Sequence, residues 1–251
     1  MQDFNNGVDS KMVQVNSFYK SSGTSSNFSI DFLTRDLDKV VKVTMIKATL
    51  PRLFFNIQSW NNTINIIHPA ATNNFFSVPP GQYTVTTLIA ALNTATAGIF
   101  VTWVFNTATN RIEATYSSVT TVTLDSSALS TIANYIGLTQ DITLGPPTEM
   151  TDPPQLSGPD EIYIHSNLVA ATSMVAAGEI TAKSFIGNIN FTNVPYGFTG
   201  RMDSTSLDIA HVAYPYQVCM RKMDVTIRDV FNHEMELPSN CYLDMILQFS
   251  Y

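Results

Sequence analysis

A regular alternation of apolar and polar residues near the carboxyl terminus constrains the fold of this chain more than any other feature. In MDVTIRDV (223–230), Met223, Val225 and Ile227 alternate with polar residues, and in YLDMILQFSY (242–251) every second residue from Leu243 is apolar. Successive side chains of a β-strand point to opposite faces of its sheet. Both segments are therefore predicted to be strands with one buried face, and we expect them to form a hairpin around a turn near residues 231–238.

Further strand-like segments occur along most of the chain. They are FSIDFL (28–33), VVKVTMIKATL (40–50), TINIIH (63–68), EIYIHSNLV (161–169), SFIGNINF (184–191) and SLDIAHVAY (206–214). In the second of these, Val41, Val43 and Met45 are expected to share one face. Eight or more short strands without regularly alternating helices are typical of a β-sandwich or barrel, and the sequence shows no internal repeat.

The middle of the chain has a different character and is predicted to be an insertion covering residues 58–157. Within VPPGQYTVTTLIAALN (78–93), the spacing of Val85, Leu88, Ile89 and Leu92 predicts a buried face of a short helix over 84–95. A hairpin is predicted over 99–117, and a second short helix over 127–136, with Leu129 on its apolar face and Gly137 as its stop. A connection with five prolines follows at 145–160.

The remaining segments, 1–57 and 158–251, are expected to form one domain with a flexible amino-terminal arm at 1–12. Only 13% of the 251 residues are charged, and the net charge is −7. Such a surface suits permanent contact with protein, although a monomer with a neutral surface also fits. The acidic balance disfavours direct binding to nucleic acid. No apolar run has the length of a membrane span, and no signal region is recognised, so synthesis in the cytoplasm is expected.

The sequence predicts no catalytic, cofactor-binding or metal site. The histidines His68, His165, His211 and His233 are far apart, which disfavours a metal-binding jelly roll of the cupin type. The alternation predicts that Asp224, Asp229 and Asp244 face solvent, and Asp36 and Asp38 are placed in a loop. The sequence does not exclude a pair of glycosidase carboxylates, because such residues are distant in sequence and only the fold brings them together. Trp60, Trp103 and Tyr83 are more typical of a core than of a sugar-stacking site.

The two cysteines are not expected to form a disulfide scaffold. Pairing around the proposed final turn would place Cys219 opposite about residue 250 and away from Cys241. A disulfide requires Cα atoms within about 7 Å. Both residues are therefore predicted to be reduced thiols.

The order of several segments resembles a known family. These are SFYKSSGTSSNFSIDF (17–32), VVKVTMIKATLPRLFFNI (40–57), PPGQYTVTTLIAALN (79–93), EIYIHSNLV (161–169), NVPYG (193–197) and the final two strands. Taken in this order they resemble the penton, or minor capsid, proteins of virophages and of related double-jelly-roll viruses and polinton-like elements. Proline, glycine and tyrosine followed by a helix form the most specific of these motifs.

The resemblance implies an all-β chain, with a single jelly-roll sandwich and an inserted α+β elaboration. It also implies a structural, non-enzymatic protein of the virion that forms homopentamers at icosahedral fivefold vertices and contacts neighbouring major capsid protein capsomers. The predicted helix would then be a packing element that covers a sheet face or edge. Two alternatives stay open: a viral receptor-binding spike with a carbohydrate site in the insertion, and a jelly-roll glycosidase.

Overall fold

The computed structural model describes residues 9–32, 37–68, 72–118, 120–168, 172–176, 179–183, 185–203 and 211–251. The chain divides into two compact units, residues 1–54 with 159–251 (unit 1) and residues 55–158 (unit 2). Each unit has its own hydrophobic core.

The main strands of unit 1 form one ten-stranded antiparallel sheet, whose two parts, called here the first and second sheets, enclose one core. Its strands are β1 (Ser10–Asn16), β2 (Ser22–Gly23), β3 (Asn27–Asp31), β4 (Asp38–Pro51), β12 (Glu161–Ser166), β13 (Thr172–Ala176), β14 (Glu179–Lys183), β15 (Phe185–Asn190), β16 (Thr199–Asp203), β17 (His211–Cys219), β18 (Lys222–Asp229) and β19 (Asp244–Ser250). The first sheet has the order β1-β19-β4, with β16 and β17 both pairing with β4. The second has the order β15-β12-β18-β3-β2, and it is joined to the first by a single residue pair, Asn190 of β15 with Arg201 of β16. Strand β13 pairs with β14 in a separate hairpin.

This strand order identifies the fold of unit 1. If its eight main strands are numbered along the chain, with β16 and β17 counted as one, the sheets have the orders 1-8-3-6 and 2-7-4-5. Two interleaved Greek keys of this kind make a jelly roll. The expected all-β jelly roll is therefore confirmed, and unit 2 occupies the connection between β4 and β12.

Unit 2 combines two small sheets with two short helices. Its elements are β5 (Thr63–His68), β6 (Thr72–Ser77), α1 (Val85–Ala95), β7 (Val101–Asn106), β8 (Arg111–Tyr116), β9 (Val122–Leu124), α2 (Ala133–Ile136), β10 (Ile142–Leu144) and β11 (Thr148–Glu149). The sheets have the orders β10-β9-β5-β6 and β11-β8-β7. Asn56 joins the first and last parts of unit 2, because its side-chain amide donates to the carbonyl oxygens of Tyr83 at 2.8 Å and Leu156 at 2.9 Å.

Helix α1 begins at a reciprocal cap. The Thr84 hydroxyl accepts from the Thr87 amide, and the Thr87 hydroxyl accepts from the Thr84 amide. This capping box satisfies two amides that the first helical turn leaves without partners. Leu88 and Leu92 are fully buried, whereas Val85 and Ile89, expected on the same face, are only half-buried.

Three expectations about the strands are wrong. First, β18 and β19 do not pair with each other, because β18 pairs with β3 and β12 while β19 pairs with β1 and β4. Second, the buried residues of β4 include Val40, Val43 and Met45, and Val41 is only half-buried. Irregular pairing of β4 with β17 resets the alternation there. Third, Asp229 has the same parity as Ile227 and is buried.

The second predicted helix is shorter than expected. Only Ala133–Ile136 is α-helical, and residues 127–132 form turns that leave Leu129 exposed. Gly137 follows the helix with a φ of 82°, which agrees with its expected role as the stop. Residues 1–8 of the proposed arm and 206–210 of a proposed strand lie outside the described residues, and residues 10–12 belong to β1.

Candidate assembly surface

One end of unit 1 brings together the ends of strands from both sheets. Asn16 at the end of β1 pairs with Asp244 at the start of β19, which pairs with Thr49 near the end of β4. In the second sheet, the start of β12 pairs with the ends of β15 and β18. The segments 17–19, 191–198 and 230–243 therefore emerge at this end, although they are far apart in sequence.

These segments carry most of the exposed large apolar side chains that the structure describes in unit 1. We call this surface the aromatic end, and its members are Phe18, Tyr19, Tyr196, Phe198, Val230, Phe231 and the half-buried Tyr242. Met12 and Tyr216 are the other exposed large apolar residues described in this unit, and they lie within strands. Exposed apolar surface concentrated in this way is typical of a protein interaction site.

The first part of the aromatic end is fixed by β1 and the start of β19. The Asn16 side chain accepts from the Phe18 amide at 2.8 Å, and the Ser17 amide donates to the Leu243 carbonyl at 2.9 Å. The Phe18 ring then packs edge-on against Tyr19 and Tyr242, with centroid separations of 5.0 and 5.2 Å. These rings are therefore held by backbone hydrogen bonds even though Phe18 and Tyr19 are exposed.

The second part is the loop 191–198 between β15 and β16. It contains two turns, in which the amide of Val194 donates to the carbonyl of Phe191 and the amide of Phe198 to that of Pro195. Asn193 and Gly197 have φ values of 63° and 88°, a region that asparagine and glycine tolerate best. This tight shape leaves Tyr196 and Phe198 exposed.

The third part is the turn after β18. The buried carboxylate of Asp229 accepts from the backbone amide of His233 at 2.7 Å and lies 3.1 Å from its ring Nδ1. Arg228 donates to the Asn232 carbonyl at 2.8 Å. A carboxylate in this position organises the turn that exposes Phe231, which explains why Asp229 is buried although simple alternation of polar residues predicted exposure.

Charged side chains at both ends of unit 1 are engaged in hydrogen bonds or ion pairs. At the aromatic end, the carboxylate of Asp244 accepts from Gln14 and Asn16, and that of Glu234 accepts from Asn27. At the opposite end, Arg221 pairs with Asp38 at 2.9 Å and Lys222 with Asp224 at 3.2 Å. The carboxylates of Asp244 and Glu234 beside the aromatic end therefore already have hydrogen-bond donors.

The residues considered as catalytic or metal candidates do not converge in the structure. Among the described residues, no group of three or more histidine, cysteine or carboxylate side chains could hold a metal ion. His165 is buried, His233 contacts Asp229, and His68 packs against Tyr116 in unit 2. Asp36 and the side chain of His211 lie outside the described parts.

The aromatic residues considered for sugar binding mainly make contacts within unit 2. Trp103 is buried in the core of unit 2, where its indole N–H donates to Thr96 Oγ1 at 3.0 Å. Tyr83 donates through its hydroxyl to the Pro79 carbonyl at 2.6 Å, and burial raises its pKa. The indole N–H of Trp60 lies 3.3 Å from Gln58 Oε1. Trp103 is therefore unavailable to a ligand at the surface.

Comparison with known proteins found similar structures only. No family model matches the chain, and no curated protein matches it. The crystal structure of the mavirus penton protein is similar with a TM-score of 0.48 and 12% identity, over 96% of this chain and 100% of that chain. A chain of the Sputnik virophage structure is similar with a TM-score of 0.49 and 13% identity, over 96% and 98%. Sputnik is a virophage, the group named by the sequence resemblance.

Sequence reasoning missed the aromatic end. Its residues come from three distant segments, and only the pairing of β1, β19, β12 and β18 shows that these segments share one end. The motif NVPYG carries part of the resemblance, but its exposure in a turn follows only from the fold. No helix in the described part of the chain is long and apolar enough to cross a membrane.

Proposed function

We propose that this chain is a structural capsid protein that forms homopentameric penton capsomers at the fivefold vertices of an icosahedral virion. In this proposal unit 1 is the capsid-forming jelly roll, and unit 2 is an insertion into it. The protein would be made in the host cytoplasm and would contact neighbouring major capsid protein capsomers. No enzymatic activity is part of this proposal.

The aromatic end is the observation that carries the proposal. Burying an aromatic or large aliphatic side chain stabilises an interface by about 1.5–3 kcal/mol if burial is complete. Phe18, Tyr19, Phe198 and Phe231 are all more than half exposed in the isolated chain. They are held by ordered turns, so little conformational entropy is lost when they are covered by another protein. Only 13% of the residues are charged, so copies can meet largely through uncharged residues.

Native mass spectrometry of the purified protein, over a range of concentrations, tests the proposal. Five copies per particle are expected for a vertex capsomer. Three copies would instead favour the alternative of a receptor-binding spike, and glycan-array binding would then be the next measurement. A protein that stays monomeric at all concentrations and ionic strengths would contradict the proposal.

A further inference from the structure

We infer that the loop 191–198 contacts a second copy of this chain, and that Arg52 is the residue that positions this loop. The inference rests on the proposed function, because it names the surface through which the copies associate. It concerns a loop and an arginine that lie within unit 1.

Arg52 is a buried cation around which the loop is built. Its guanidinium donates to the carbonyl oxygens of Phe191, at 3.2 Å, and of Val194. Its backbone amide donates to the Phe198 carbonyl at 2.7 Å, and its own carbonyl accepts from the Gly197 amide at 2.9 Å. One residue therefore holds both the start and the end of the loop.

Aromatic packing completes this arrangement beneath the loop. The Arg52 guanidinium lies 5.9 Å from the centre of the Phe54 ring, which packs edge-on against Phe191 at 5.0 Å. A Cβ atom added to Gly200 would come within 2.3 Å of the Phe191 ring, so this close approach requires glycine. Asp160 lies 3.8 Å from the guanidinium and balances its charge.

A planar guanidinium is well suited to binding several carbonyl oxygens of one loop. It presents several N–H groups in a fixed geometry, and can bind two carbonyl oxygens at once, whereas the lysine ammonium is a flexible point charge. A loop held in one shape loses less entropy when it binds. Arg52 therefore does not need to touch a partner in order to affect binding, because it sets the positions of Tyr196 and Phe198.

The charge of the loop favours a second copy as the occupant. The segment TNVPYGFTG (192–200) has no charged residue, although the chain as a whole has a net charge of −7. Two copies of an acidic protein repel each other least where they meet through uncharged surface. A basic partner would be attracted to carboxylates, but the segment itself has none, and the neighbouring carboxylate of Asp160 is paired with Arg52.

The test compares three variants by sedimentation velocity over a range of protein concentrations. Replacing both exposed rings, Tyr196→Ser with Phe198→Ser, should raise the dissociation constant of the oligomer about tenfold or more. The control is Tyr216→Ser, which removes an even more exposed ring from β17 and should leave the dissociation constant unchanged. The third variant, Arg52→Lys, should weaken association in the parent chain.

A combined variant separates positioning from general stability. If Arg52 acts through the loop, Arg52→Lys should weaken association much less once Tyr196 and Phe198 have been replaced. Equal weakening in both backgrounds would overturn the positioning role. Unchanged association of the double serine variant would overturn the contact between the loop and a second copy. The loop's remaining candidate partner would then be a different protein. A wild-type chain that never associates would instead refute the proposed function, so the two failures can be distinguished.

Discussion

The two cysteine thiols show how strongly a side chain's surroundings decide its chemistry. Cys241 is buried in unit 1, and burial raises its pKa to about 11. Cys219 is exposed at the end of β17, where its Sγ donates to Asp38 Oδ1 at 2.9 Å. This hydrogen bond raises the pKa of Cys219, and Arg221 opposes the shift. Both are free thiols, as expected, although the hairpin from which this was predicted does not exist.

Replacing Asp38 with alanine should make Cys219 more reactive. Loss of the acceptor removes the main cause of the raised pKa and leaves Arg221, which favours the thiolate. At pH 8 a lower pKa means a larger thiolate fraction, and the thiolate is the nucleophile. Alkylation by iodoacetamide, followed by mass spectrometry, should therefore be several-fold faster at Cys219 than in the parent. Asp244→Ala is the control, and an unchanged rate in Asp38→Ala would contradict this explanation.

At the scale of elements, a side chain of helix α1 hydrogen-bonds to the edge of strand β7. Trp103 lies in β7, which, among the strands that the structure describes, pairs with β8 alone. On its other side, the Asn93 side chain accepts from the Trp103 amide at 2.8 Å and donates to the Trp103 carbonyl at 2.9 Å. The amide group of one asparagine thus makes the pair of bonds that a neighbouring strand would make. This arrangement gives the helix the edge-covering role expected from the sequence.

Replacing Asn93 with alanine should destabilise unit 2 by about 2 kcal/mol, since two backbone groups of a buried residue lose their partners. Helix propensity alone predicts the opposite sign, because alanine is the better helix former. Thermal or urea unfolding measures the change. Thr86→Ala, on the exposed part of α1, provides the control. Equal or greater stability of Asn93→Ala would show that water replaces the asparagine without cost.

The final strand should tolerate little change on its inner face. Leu247 and Phe249 are fully buried, and β19 lies between β1 and β4. Phe249→Ala is expected to cost about 3–5 kcal/mol, whereas Ser250→Ala, on the other face, should change stability by about 0.5 kcal/mol or less. Removing residues 247–251 should abolish cooperative unfolding. A truncated protein that unfolds cooperatively in urea would show that this strand is dispensable.

Local alternation predicted the strands but not their partners. The buried faces of β18 and β19 follow from a period of two, which depends only on neighbouring residues. Which strands pair depends on contacts between distant segments, and therefore the supposed final hairpin was wrong. Irregular pairing moved burial to Val40, and the buried Asp229 was assigned to the surface. The aromatic end depends on pairing as well, which is why it could not be predicted.

At the scale of the whole molecule, charge opposes the proposed assembly. Five copies with a net charge of −7 each would carry −35. Salt screens exposed charges beyond about 8–10 Å near physiological ionic strength, whereas apolar contacts are not weakened in this way. A closed ring would use head-to-tail contacts between two different surfaces of each copy.

The proposed pentamer should therefore form more readily as salt increases, or as the pH falls toward the isoelectric point near 4.9. Added salt reduces repulsion, and protonation of carboxylates reduces net charge. Sedimentation velocity at constant protein concentration measures both effects. Dissociation on adding salt would show that opposite charges, and not apolar contacts, hold the copies together.

The hydrogen bond from Asn56 to Leu156 holds the two ends of unit 2 together, and we expect this to make unit 2 replaceable. An inserted domain whose two ends lie close together can be removed or replaced with little disturbance of the domain that contains it. Joining the two free ends of the containing domain by a short linker then costs little entropy. We expect a chain in which a glycine-serine linker replaces residues 55–158 to retain the amide exchange protection of β4 and β12 in unit 1, as hydrogen exchange can verify. Loss of that protection would refute this expectation. If the protection is retained, the junction between Phe54 and Pro159 is a site at which a foreign domain could be inserted and displayed on an unchanged jelly roll.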